Sequence, residues 1–174
     1  MKIDVLGCSG GIGQGLKTTT FLVDDSLLVD AGTGLELLTM ERMLKIRDVV
    51  ITHAHIDHIM GLPLMLATIY DQHKAPLNIY ALPEVIDALK QHIFNWTIWP
   101  DYTCLPEGSP IIHLHTVKPG DKLCLQGKNI EVLPAQHPTP TVGYFLSDEH
   151  ASFAFTGDSG INDELWPILN DRKP

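Results

Sequence analysis

Asp48-Val49-Val50-Ile51-Thr52-His53-Ala54-His55-Ile56-Asp57-His58 is the stretch that decides how the rest of the chain is read. Its first half is apolar and β-branched, as a short buried strand requires. Its second half sets four metal-competent side chains, His53, His55, Asp57 and His58, within six residues. A strand that runs into such a loop delivers its ligands at the rim of a sheet, and the loop lets His53 and His55 converge where a helix would splay them. Imidazole nitrogen and carboxylate oxygen are donors that zinc and similar divalent ions accept. Asp57 and His58 then point to a second position. The plain alternative is a solvated turn before a helix over 59–70, with Asp57 favouring that helix's positive N-terminus. Four ligands in this order directly behind an apolar strand outweigh it.

Working outward, short apolar runs at 2–6, 19–23, 27–30, 48–52 and 77–81 read as strands bounded by turn residues. Helical spacing appears over 34–44 and 83–93, the latter opening on Pro83. The second half reads as strands at 111–115, 122–125, 130–133, 142–147 and 152–156, followed by a helix over 163–169. Without a linker or repeat, this order predicts a single domain over 1–174 built from layered sheets flanked by helices. The segment 94–109, with Trp96, Trp99 and Tyr102, is the least regular; a lid or binding loop and a Pro-broken connection covering the core are both open.

Composition narrows the function. Hydrophobic residues make up 44% of the 174, enough for a substantial core, yet no stretch approaches the roughly 20 apolar residues of a membrane span. Twelve Lys and Arg against 21 Asp and Glu give a formal charge of −9, which disfavours long nucleic acid and leaves a small anionic substrate open. Met1-Lys2 runs straight into a strand without the apolar core of a secretory signal, so a cytoplasmic location is expected. Cys8, Cys104 and Cys124 form no CxxC pair and read as free thiols, Cys8 as a small buried one. His113 and His115 alternate with Leu114 and are expected on a solvent face, while His73 and His150 fall in polar turns and His92 on a half-exposed helix. Asp30, ending a buried-looking strand, either orients a ligand imidazole or caps the Gly turn after it.

Thr-His-x-His-x-Asp-His at 52–58 resembles the signature of the metallo-β-lactamase superfamily, and Leu28-Val29-Asp30-Ala31-Gly32-Thr33-Gly34 resembles the strand and Gly turn that precede it. Ala135-Gln136-His137-Pro138 and Phe155-Thr156-Gly157-Asp158-Ser159-Gly160 match two further stations. Within the superfamily the likeness is to class II cyclic-nucleotide phosphodiesterases and their RNase Z-like relatives, carried by segments such as Gly7-Cys8-Ser9-Gly10-Gly11, Ile98-Trp99-Pro100-Asp101 and Gly157-Asp158-Ser159-Gly160-Ile161-Asn162-Asp163. The resemblance implies an αββα sandwich binding two divalent metal ions, zinc first, with manganese or iron as alternatives. His53, His55 and His137 would hold one ion, Asp57 and His58 the other, and Asp158 would bridge them. It further implies a metal-dependent hydrolase, a phosphodiesterase for a cyclic nucleotide or other small phosphodiester, in which a metal-bridging hydroxide attacks phosphorus and Asp57 orients it. Thioester or lactone hydrolysis, RNase Z-like activity and a non-catalytic metal-binding assembly module are the alternatives. Family members continue past the position of Leu169 with a strand, a metal-binding His and a helix. The expectation from 1–174 is therefore a C-terminally shortened sandwich with a weaker second metal site, and a homodimer that covers the exposed sheet edge.

Overall fold

The computed structural model describes residues 1–72, 75–172 and 174. His73 lies outside the described residues. Among the described residues, ten strands form two sheets. The first holds β1 (Ile3–Gly7), β2 (Thr20–Val23), β3 (Leu27–Val29), β4 (Asp48–Val50), β5 (Leu77–Ala81) and β6 (Ile112–Thr116) in that spatial order. β1 to β3 pair antiparallel, and β3 to β6 pair parallel. The second is an antiparallel set of β7 (Lys122–Leu125), β8 (Lys128–Pro134), β9 (Val142–Ser147) and β10 (Ser152–Phe155), ordered β10-β9-β8-β7. The helices are α1 (Met40–Met43), α2 (Ile56–Ile59), α3 (Gly61–Ile69), α4 (Pro83–Ala88), which runs on into a π-helical turn over Leu89–Ile93, and α5 (Leu165–Arg172).

The period of two along each strand sorts the core into layers. Leu22, Leu28, Val49 and Ile79 face helices α3 and α4, packing with Leu62, Leu66, Val85 and Leu89. Their neighbours Phe21, Val23, Leu27, Val29 and Val50 face the second sheet, against Ile130, Val132, Val142, Tyr144 and Leu146. Leu133 and Phe145 emerge on the far side, where Leu165 of α5 covers them. The result is helix, sheet, sheet, helix, the αββα sandwich expected. Tyr144 ties the two sheets together: its fully buried hydroxyl donates to the carbonyl of Ile51 at 2.9 Å, one residue before the ligand loop begins.

Several boundaries differ from the sequence reading. The single helix expected over 34–44 is two pieces, a 3₁₀ turn over Thr33–Leu37 and α1. Leu38 and Thr39 are extended, and the Thr39 hydroxyl accepts from the Arg42 N–H, so Thr39 starts a new helix instead of continuing an old one. That break lets Arg42 reach the carboxylates of Asp4 and Asp25. The helix expected over 59–70 begins earlier, at Ile56, and is interrupted at Met60 because Gly61 lies flat on the turn after β3. Its N–H donates to the Ala31 carbonyl at 2.8 Å, and a Cβ there would collide with the Gly32 carbonyl. Cys8 is exposed, as are Cys104 and Cys124, so the buried thiol expected at Cys8 is not found. Of the alternating histidines, His113 is exposed, but His115 is half-buried, stacked on Tyr80 and held by Asn78 at 3.1 Å. In the irregular segment Tyr102 and Trp99 pack on the core, as a connection covering the core requires, whereas Trp96 and Ile98 stand out in solvent.

Candidate metal centre

β3 and β4 run parallel in a register that sets Val29 beside Val50, so both strands end together at the same rim. Just beyond β4 the Ile51 N–H still donates to the Tyr80 carbonyl of β5, at 2.9 Å. The Thr52 N–H turns instead to Asp30 Oδ1, at 2.8 Å, and this bend throws His53 over the sheet edge. β9 closes the rim from the other sheet, with the Val142 N–H donating to the Thr52 carbonyl at 3.1 Å. His137, after β8, and Asp158, after β10, arrive at the same place from the ends of their strands.

The four side chains of His53, His55, His137 and Asp158 bring ligand atoms within 4.8 Å of one another. The three imidazoles form a near-equilateral triangle, with ring centroids 4.6 Å apart for His53 and His55 and 5.0 Å apart for each of the other pairs. On the other side of His53 lies His58, at 4.1 Å between centroids. The His58 Nε2 lies 3.6 Å from Asp57 Oδ2 and 3.5 Å from Asp158 Oδ1. Asp158 directs its second oxygen, Oδ2, towards His53 Nε2 at 4.0 Å. All six residues singled out in the sequence thus meet at one rim, and Asp158 stands between two groups of them.

Burial grades across this constellation. His53 and His58 are sealed in, Asp57 and His137 are half-buried, and His55 and Asp158 face the opening. Among the described residues the buried Nε2 of His53 has no hydrogen-bond partner. A buried imidazole nitrogen left in this state is costly unless something binds it, and a lone pair directed at two other imidazoles and a carboxylate suits a divalent cation. Burial, reinforced by the charges of His58, His55 and His137, pushes His53 down to about 3, so it stays neutral and its lone pair stays free. At His58 burial also pushes downward, but the hydrogen bond and charge of Asp30, with the charges of Asp158 and Asp57, outweigh it and hold the imidazole above its ordinary value.

Asp30 is the residue beneath these ligands. It is fully buried, and its carboxylate meets His58 Nδ1 at 2.7 Å. It therefore orients the His58 imidazole and does not merely cap the turn. Burial raises its own pKa, an effect that His58 and Thr52 partly offset. Its backbone is left-handed, with φ 57°, a conformation that Asp tolerates better than most residues and that swings the carboxylate under Thr52. Thr52 joins this network, although the sequence reading passed over it as part of the motif's frame. Its Asp30 partner comes from 22 positions away, and no local pattern announces it.

With the geometry in place, comparison with known proteins is informative. The profile described as "Beta-lactamase superfamily domain" matches residues 26–171. The chain is similar to a probable 3',5'-cyclic-nucleotide phosphodiesterase of Yersinia pestis, 28% identical and aligned over 93% of this chain and 55% of that protein. It is also similar to a ribonuclease Z of Methanosarcina acetivorans, 23% identical over 92% of this chain and 53% of the relative. The chain thus spans about half the length of these curated relatives. Among solved structures, unliganded yeast PDE1 superposes with a TM-score of 0.78 at 21% identity, covering 97% of this chain and 70% of that one. The metallo-beta-lactamase fold protein YhfI of Bacillus subtilis superposes with a TM-score of 0.75 at 22% identity, covering 96% and 66%. At these identities the superpositions speak for the fold alone.

Proposed function

Because the chain belongs to the beta-lactamase superfamily, we propose that it is a metal-dependent hydrolase, a phosphodiesterase acting on a cyclic nucleotide or another small phosphodiester. The observation that carries this is Asp158, whose two oxygens face in two directions, one towards His53 and the other towards His58. A carboxylate so placed divides six donors into a nitrogen-rich set (His53, His55, His137) and a mixed set (Asp57, His58), each sharing Asp158. The first set suits zinc, and the second accepts zinc, manganese or iron. Cations held by these residues would supply Lewis acidity to phosphoryl oxygens and to water.

The chain's own residues do the rest. Asp57, half-buried beside His58, orients the attacking nucleophile and holds it in line. His53 and His58 are locked from beneath and define where the ligand atoms sit. His55 and Asp158 face the opening through which a small anion enters. The formal charge of −9 favours a small phosphodiester over a long polyanion, and the phosphodiesterase relative supports the same choice. Homodimer formation and a cytoplasmic location carry over as proposals, to be tested by light scattering across a dilution series and by cell fractionation.

The experiment is turnover of bis-p-nitrophenyl phosphate and 3',5'-cyclic nucleotides by metal-loaded protein, beside Asp57→Ala at equal metal content. Metal-dependent turnover that falls by at least a hundredfold in Asp57→Ala is expected. Equal turnover by the variant, or faster turnover of thioesters, lactones or precursor tRNA than of any small phosphodiester, overturns the proposal. So does metal retention without hydrolysis, the outcome a binding module would give.

A further inference from the structure

We propose that the Thr52 hydroxyl is a positioning group: it carries the orienting effect of the buried Asp30 carboxylate to His53, so that one carboxylate sets the imidazoles on both sides of Asp158. The inference rests on the two-position reading above and deepens it.

Proton counting leads to it. The Thr52 Oγ1 lies 2.8 Å from Asp30 Oδ2, 3.1 Å from Asp30 Oδ1 and 3.0 Å from His53 Nδ1. Thr52, Asp30 and His53 are each fully buried, so no solvent molecule substitutes for any of these partners. A hydroxyl has one proton to give and lone pairs to receive with, whereas an ionised carboxylate only accepts. With Asp30 ionised, the form favoured by the Thr52 N–H at 2.8 Å and by His58 Nδ1 at 2.7 Å, the Thr52 proton goes to Asp30, and the hydroxyl oxygen receives the Nδ1–H of His53. The reverse assignment would leave two oxygen lone pairs facing each other at 2.8 Å in a buried site. With Nδ1 protonated, the lone pair of His53 sits on Nε2, the buried atom that has no partner among the described residues.

The same carboxylate receives the Nδ1–H of His58 at 2.7 Å, which places the lone pair of that ring on its Nε2, towards Asp57 and Asp158. Asp30 thus acts on His58 directly and on His53 through one hydroxyl. In a site closed to solvent such hydrogen bonds reinforce one another and hold ring orientation and tautomer together. Thr52 touches neither the opening nor the direction of the ligand lone pairs, so its role is positioning.

The test uses Thr52→Val, which keeps the shape and removes the hydroxyl, and Thr52→Ser, which restores it. Imidazole ¹⁵N spectra of the metal-free protein at neutral pH are expected to show His53 with Nδ1 protonated in wild type and Thr52→Ser, and a tautomer mixture in Thr52→Val. His58 should keep its Nδ1 proton in Thr52→Val and lose that preference in Asp30→Asn, where both rings are disturbed. Zinc competition with a chromophoric chelator should show Thr52→Val binding 10- to 100-fold more weakly at its tighter position, and Thr52→Ser within about threefold of wild type. An unmixed His53 tautomer in Thr52→Val, or wild-type zinc affinity in that variant, overturns the proposal. Because the spectra are recorded without metal, failure of the wild type to bind any ion would sink the two-position reading while the spectra still decide the role of Thr52.

Discussion

Gly157→Ala offers a sharp test of how the candidate centre is held, because the substitution adds one methyl group beside two of its supports. Gly157 has a φ of 63°, and a Cβ there would sit 2.8 Å from the Val142 carbonyl oxygen, 3.2 Å from Thr52 Cβ and 3.3 Å from Thr141 Cγ2. The left-handed conformation costs an L-residue about 1–2 kcal/mol. The nearest obstacle is backbone, fixed by the bond from the Val142 N–H to the Thr52 carbonyl, so the turn carrying Asp158 must retreat by roughly half an ångström or the rim must open. Together these amount to roughly 2–4 kcal/mol, or a fall in Tm of about 4–16 °C for a chain of this length. Asp158, the next residue, moves with the turn, so zinc affinity should fall at least about tenfold. Gly120→Ala is the control. Its φ of 89° is left-handed too, but nothing lies within 4 Å of its Cβ, so it should lose only the strain energy and none of the zinc affinity. Thermal unfolding of the metal-free proteins and chelator competition read both effects. If Gly157→Ala melts with Gly120→Ala and binds zinc like wild type, the idea that Gly157 fits the Asp158 turn against Thr52 is wrong.

Two further outcomes follow from the same geometry. Tyr144→Phe removes the donor to the Ile51 carbonyl and leaves a buried acceptor short of a partner, which should cost about 1–3 kcal/mol and lower Tm by roughly 2–12 °C; an unchanged Tm would mean the inter-sheet tie contributes nothing. Metal-free protein should also become less stable in mild acid. His53 is held down to about 3 when folded and returns to about 6.5 when unfolded, so the unfolded state takes up the proton first and the contribution of His53 is lost as pH falls from about 6.5 towards 3. The slope is at most about 1.4 kcal/mol per pH unit. His58, held above its ordinary value, acts in the opposite sense, its contribution fading as pH rises, so the quantity to measure is the difference in slope between wild type and His53→Gln in urea melts from pH 5 to pH 6.5. Equal slopes would show that His53 is not held neutral by burial.

How much of this was legible in the sequence follows from how local each feature is. His53 and His55 lie in the turn behind β4, and Asp57 and His58 in the helical turn that follows at once, so their meeting could be read from spacing alone. His137 and Asp158 sit at ordinary strand ends, and only the resemblance singled them out; the structure then brings both to the same rim. The layers were legible too, because strands and helices follow one another without a linker; which residues of β2, β3 and β4 face the helices and which the second sheet was not, since these strands are buried throughout. What escaped is what long-range packing decides. The break at Thr39 is invisible in the apolar spacing of 34–44, since Leu35 and Leu38 face the core whether or not one helix joins them. His115 looked solvent-facing because nothing in its own strand reveals Tyr80 and Asn78 on the strand beside it.

The Asp30, Thr52 and His58 network shows why fold and centre depend on a single structural choice. The register of β3 on β4 sets Leu28 beside Val49 and Val29 beside Val50, which sends Leu28 and Val49 to the helices and Val29 and Val50 to the second sheet. That register also brings Asp30 alongside the exit of β4, where its carboxylate receives the Thr52 N–H. A slip of one residue would exchange the faces of every side chain on β4 and carry the Thr52 hydroxyl away from Asp30. The apolar residues buried on both faces of the first sheet therefore hold the centre in place, although none of them touches a ligand. Conversely, the fully buried Asp30 carboxylate is satisfied only where Thr52 and His58 supply its donors, so a misregistered sheet would leave a buried charge without partners as well as a disordered core. Core packing and the polar network thus select the same register, and that register aims the imidazoles of His53 and His58 over the sheet edge.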